Sequence, residues 1–124
     1  MLRSMFQINV QHSVEAVKLY QKAFDAKIIS EHKHDDGSYL HCELDIFGQI
    51  VAVSQIFPAG TEIITGTTMQ LCLHFGKGNE AIVKKAYEIL KDGAKINFPL
   101  GECFFSPLMF GLIDKFGVNW CVFI

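Results

Sequence analysis

The sequence predicts an α+β fold of two βαβββ modules, about residues 1–58 and 66–124, whose mixed sheets form a cup within one domain. Three observations carry this. Short stretches alternate apolar and polar residues at period two, and two longer ones repeat apolar residues at helical spacing. Three markers also recur in the same order. Glu15-Ala16 returns as Glu80-Ala81, Ala26-Lys27-Ile28 as Ala94-Lys95-Ile96, and Phe47-Gly48 as Phe116-Gly117. A nearly constant offset between matching markers reads as a duplicated unit.

Each element follows from its own residues. Met5 to Val10 alternates Phe6, Ile8 and Val10 against Met5, Gln7 and Asn9, the pattern of a half-buried strand. Ser13 is a good N-cap, after which Val14, Val17, Tyr20 and Phe24 define a helix over 14–24. Strands are expected at 27–33, 38–46 and 49–57, with Asp36-Gly37 and Gly48 as turn residues. The second module repeats the plan. A strand over 68–75 leads to Asn79 as N-cap, a helix from 80 to about Lys91, and Gly93 as its C-cap. Strands near 94–98, 109–114 and 118–124 complete it. The helices should cover the apolar faces, with Phe6, Ile8, Leu71, Leu73, Trp120 and Val122 packed beneath them.

Composition bounds the function. The chain has 124 residues, half of them hydrophobic and eleven of them Phe, so a packed core is expected and disorder is not. The formal net charge is −2, and no basic stripe is present to neutralise phosphates, which argues against nucleic acid. Apolar runs such as Ile50 to Val53 fall far short of the ~18 residues of a membrane span. No charged segment followed by an apolar one opens the chain, so a cytoplasmic protein is expected. The cysteines at 42, 72, 103 and 121 form no C-x-x-C pair, so zinc-site spacing is missing and buried thiols are the default reading.

The polar sides of the strands point to a ligand site. Gln70, Cys72 and His74 oppose Leu71, Leu73 and Phe75, while His41, Glu43 and Asp45 oppose Leu40, Cys42 and Leu44. Polar residues on several strands can face plain solvent or line a concave pocket. On the pocket reading, Met5, Gln7, His41, Gln70, Cys72, His74 and Cys121 line one shared concavity.

The βαβββ pair, "EAVKLYQKAFDAKI" after the first strand, "YLHCELDIFGQIVAVSQ" in the middle and "FGLIDKFGVNWCVFI" at the end resemble the glyoxalase/bleomycin-resistance, or vicinal oxygen chelate, superfamily, and more narrowly its PhnB-like branch. The likeness spans nearly the whole chain. PhnB-like relatives are often called demethylubiquinone methyltransferases, but no Gly-rich loop for a methyl donor follows the first strand here. Metal-dependent members of the superfamily carry His, Gln or Glu ligands on the first and last strands of each module. The resemblance places those positions on Met5, Ala52, Gln70 and Cys121. Only Gln70 is an ordinary ligand for the divalent ions the superfamily uses, since thioether and thiol suit softer ions. The resemblance therefore implies a small organic molecule bound in the cup, no metal and no other cofactor, and a homodimer. Apolar sheet surface such as Ile50 to Phe57 would support that dimer. A divalent-metal-dependent lyase, isomerase or dioxygenase is the alternative.

Other candidates have plainer readings. His32 and His34 beside Asp35 and Asp36 read as an exposed polar hairpin rather than a chelate, and His12 as a loop residue. His41 lies inside a strand with Glu43 two residues on, which makes it the candidate general base, against a hydrogen-bonded structural role. Cys121 as a nucleophile would need His41 or His74 as an adjacent base. Phe104, Phe105 and Phe110 are core by default and an aromatic wall for a flat ligand otherwise.

Overall fold

A computed structural model describes residues 1–124 and divides into two compact units, Met1–Ile63 and Ile64–Ile124. The first contains β1 (Phe6–Val10), α1 (Ser13–Phe24), β2 (Lys27–Lys33), β3 (Tyr39–Ile46) and β4 (Gln49–Gln55). The second contains β5 (Leu71–His74), α2 (Glu80–Leu90), β6 (Lys95–Gly101), β7 (Met109–Ile113) and β8 (Asn119–Phe123). Each unit is one βαβββ module with a four-stranded mixed sheet, ordered β1-β4-β3-β2 in one and β5-β8-β7-β6 in the other. β1 pairs parallel with β4 and β5 with β8, and the remaining pairs are antiparallel. The chain is α+β, as its periodicities predict.

The helices sit where their apolar stripes require. Ala16, Val17, Tyr20, Ala23 and Phe24 are buried along one side of α1, which packs on β1, β3 and β4. Val83, Ala86 and Leu90 do the same for α2, which packs on β7. Trp120, Tyr20, Phe24 and Phe110 are fully buried, each contributing about 1.5–3 kcal/mol relative to exposure.

Three expectations change here. The N-cap of α1 is His12, not Ser13. Ser13 is the first helical residue, and its buried Oγ accepts the Tyr39 N–H at 2.9 Å instead of capping the helix. Its own N–H donates to Gln55 Oε1 at 3.1 Å, so two strand ends hold the start of the helix. Asn79 is the N-cap of α2, but its side chain donates to Phe75 O at 2.7 Å rather than accepting from the helix. The C-cap of α2 is Lys91, still right-handed. Gly93 comes two residues later in the left-handed region at φ 73°, where an added Cβ would lie 3.2 Å from Lys115 Cβ. Finally, Phe6 is 40% exposed because β1 is an edge strand, and Ile8 and Leu73 are half-buried, while Leu71, Trp120 and Val122 are core.

The repeated Phe-Gly marker is a turn in both units. Phe47 and Gly48 both have positive φ, as a two-residue hairpin that follows the strand twist requires, and Asp45 Oδ1 accepts the Gly48 N–H at 2.6 Å. In the second unit the corresponding carboxylate, Asp114, is buried. Its Oδ1 accepts the N–H groups of Phe116 and Val118 at 2.8 and 3.1 Å, and its Oδ2 accepts Trp120 Nε1–H at 2.9 Å. The stretch Asp114 to Trp120 is thus one hydrogen-bonded device that shapes the turn and orients the largest core side chain.

Candidate functional site

In the first unit the polar face is built by register. Gln7 stands opposite Ala52, Ala52 opposite Glu43, and Glu43 opposite Ser30. Directly opposed residues share a face, so one row of side chains crosses all four strands. Gln7 Nε2 donates to Ser54 Oγ at 2.7 Å. Met5 stands one residue before β1 and is half-buried.

Glu43 is the electrostatic centre of this face. Arg3 grips it with two hydrogen bonds, Nη1 to Oε2 at 2.7 Å and Nη2 to Oε1 at 2.8 Å. His41 Nε2 lies 3.0 Å from Oε1. These partners hold the Glu43 carboxyl at about 2, well below the usual range. The Arg3 hydrogen bonds act most strongly, then His41, against the opposing pull of desolvation. His41 is half-buried, so one edge of the imidazole is tied to Glu43 while the ring still reaches solvent. The sequence pointed to His41 with Glu43. It gave no sign of Arg3, which lies in the segment before the first strand and belongs to no periodic pattern.

In the second unit, Leu71, Leu73, Trp120 and Val122 share the rungs of the apolar face, and Cys72–Cys121 and His74–Phe123 those of the polar face. His74 stacks on Phe123 with ring centroids 4.6 Å apart. Phe105 meets Phe123 edge-on at 5.2 Å, and Phe104 meets Phe105 in the same way. Phe104 and Phe105 are exposed and belong with this polar face, but Phe110 does not. It is paired with Val122, fully buried, and packed against Tyr87 at 5.2 Å. An aromatic wall that includes Phe110 is therefore ruled out by strand parity. Gln70 precedes β5. It donates to Asn119 Oδ1 at 3.2 Å and accepts from Cys72 Sγ at 3.8 Å. Burial pushes the Cys121 thiol up to about 11, with Cys72 and Cys103 acting in the same direction.

His34 and His32 form no chelate. The His34 ring stacks on Phe57 at 4.7 Å, and its buried Nε2 has no hydrogen-bond partner.

No protein-family model matches the chain, and no curated protein matches it. Solved structures do. The PhnB protein of Bacillus cereus aligns with a TM-score of 0.81 at 22% identity over 98% of each chain. Protein PA1353 of Pseudomonas aeruginosa gives 0.79 at 19%, over 99% of this chain and 97% of the other. A fosfomycin resistance protein, FosX, of Listeria monocytogenes gives 0.71 at 14%, over 98% of this chain and 90% of the other, in a complex with Mn(II) and 1S,2S-dihydroxypropylphosphonic acid. The fold is that of the vicinal oxygen chelate proteins. At these identities the likeness is one of fold.

A hard divalent ion such as Mn(II) favours carboxylate, carbonyl and water oxygens. On the first polar face, the strand positions opposed in register are Gln7 and Ala52, two residues beyond Met5 in β1, and an alanine offers no donor. The carboxylate one strand over, Glu43, already balances Arg3. On the second face the opposed pair is Cys72 and Cys121, two residues beyond Gln70 in β5. No group of three or more His, Cys, Asp or Glu side chains is gathered closely enough to hold a metal ion.

Proposed function

We propose that the chain binds a small organic molecule on the polar sheet face of its first unit without a divalent metal. The carrying observation is the state of Glu43. Its negative charge is committed to Arg3 and His41, and the residue opposite it on β4 is Ala52. What these faces offer a ligand is hydrogen bonding and stacking. On the first unit Gln7 and His41 present donors and acceptors; on the second, taken by itself, Gln70, Cys72 and His74 do so, and Phe123 and Phe105 present aromatic surface. Met5 and Cys121 supply soft apolar contact. His41, held by Glu43, is the group placed to exchange a proton with such a molecule.

The proposal extends to a cytoplasmic homodimer. All four cysteines are free thiols, which suits a reducing compartment. Of the stretch Ile50 to Phe57 expected to support a dimer, Val51, Ala52 and Val53 are fully buried, whereas Phe57, like Phe47 and Leu40, exposes more than half of its surface, and self-association would cover such residues. No helix is long and apolar enough to cross a membrane.

Elemental analysis after gel filtration tests the reading. The expected result is no stoichiometric zinc, iron, manganese or nickel on the purified chain. About one equivalent that disappears in Gln70→Ala would overturn it and promote a metal-dependent lyase, isomerase or dioxygenase.

A further inference from the structure

The β5–β8 ladder sets Cys72 and Cys121 on one rung, side chains on the same face of the sheet. Cys72 is exposed and Cys121 is buried, so the pair has an open mouth and a floor. Gly111 lies opposite Cys121 on its other side and carries no side chain of its own. A Cβ built there would meet nothing closer than Phe98 Cβ at 3.7 Å. The next rung is closed by His74 stacked on Phe123. The thiol of Cys72 donates to Gln70 Oε1 at 3.8 Å, a long contact that a stronger partner would replace.

We propose that Cys72 and Cys121 form a two-thiolate site for a soft monovalent cation, Cu(I) by chemical class. Thiolates select such ions over hard ones. Zinc closes its shell with four ligands in structural sites and three plus water in catalytic ones. Here no third His, Cys, Asp or Glu side chain joins the pair closely enough to hold a metal. Cu(I) is content with two thiolates in a line. Binding forms two copper–sulfur bonds and breaks two S–H bonds. Both protons go to solvent, and no electron is transferred. The site stands on the second unit's own register and does not depend on an organic ligand.

The test is a competition titration of the fully reduced chain under anaerobic conditions, with Cu(I) supplied as its coloured bicinchoninate complex. The wild type should withdraw one Cu(I) per chain and gain near-ultraviolet thiolate-to-copper absorbance. Cys72→Ser and Cys121→Ser should each weaken binding by more than the ~10–100-fold that loss of a mere outer-shell partner costs, since each removes one of only two ligands. Cys42→Ala removes a fully buried thiol of the first unit and should leave the titration unchanged. Cys72 is exposed, so Cys72→Ser keeps the fold, as its melting curve will show, and decides the matter alone if Cys121→Ser unfolds. Unchanged affinity in Cys72→Ser, or an equal loss in Cys42→Ala, overturns the site. The titration contains no organic ligand, so its failure is separate from failure of the small-molecule reading.

Discussion

Replacing Asp114 with alanine removes the acceptor for three N–H groups at once: those of Phe116 and Val118 and the indole of Trp120. Val118 and Trp120 are buried, whereas Phe116 is half-buried and water can serve its N–H. A buried donor left without a partner costs about 1–3 kcal/mol. Two of them, with relaxation of the turn, give a loss of about 3 kcal/mol. That is a large share of the ~5–15 kcal/mol that holds a domain folded. For a chain of this size it corresponds to a fall in Tm of about 10 °C or more. The internal comparison is Asp45→Ala. Asp45 holds the equivalent turn, but only its bond to the Gly48 N–H is at stake and its surroundings are more open, so a loss of about 1 kcal/mol is expected. Differential scanning calorimetry of both variants reads the difference. Equal and small shifts, each under ~2 °C, would refute the argument that Asp114 ties the turn to Trp120.

Glu43 predicts an acid dependence. Its folded pKa lies at about 2, below its ordinary value. The stability it contributes is therefore present above pH ~4.5 and lost as pH falls through about 2. The stability gap between wild type and Arg3→Ala should be open at pH 7 and close between those limits, measured by urea unfolding at a series of pH values. A gap that stays constant would contradict the pairing. Ser13→Ala removes the buried acceptor of the Tyr39 N–H and should cost about 1–2 kcal/mol, read from the urea midpoint. Loss of a simple N-cap would instead be repaired by Ser13→Asp, which should give no rescue here.

The elements were legible in the sequence because each obeys one period. Phe6, Ile8 and Val10 alternate along β1, and Val17, Tyr20 and Phe24 step along α1, so strand and helix could be told apart without tertiary information. What the sequence could not supply was contact across long separations. Ser13 looks like a cap because nothing local shows that its hydroxyl serves a backbone 26 residues away. Arg3 lies outside every pattern, yet its guanidinium reaches Glu43 40 residues on. Register is the third case. The resemblance set the first-strand positions at Met5 and Gln70, but the ladders oppose Ala52 with Gln7 and Cys121 with Cys72. A side-chain period of two fixes which residues share a face, and leaves open which rung they occupy. Phe110 shows the parity limit directly. It sits near Phe104 and Phe105 in sequence, but strand alternation sends it into the core.

The most direct test of the proposal is a thermal-shift screen of small organic metabolites run in parallel with and without EDTA, followed by titration of the strongest hit. A ligand at 100 times its Kd stabilises by about 2.7 kcal/mol, a shift of roughly 10 °C for a chain of this size. The account predicts a shift that is the same in both arms and reduced in Gln7→Ala or His41→Ala. A shift that needs added divalent metal and vanishes in EDTA would contradict it.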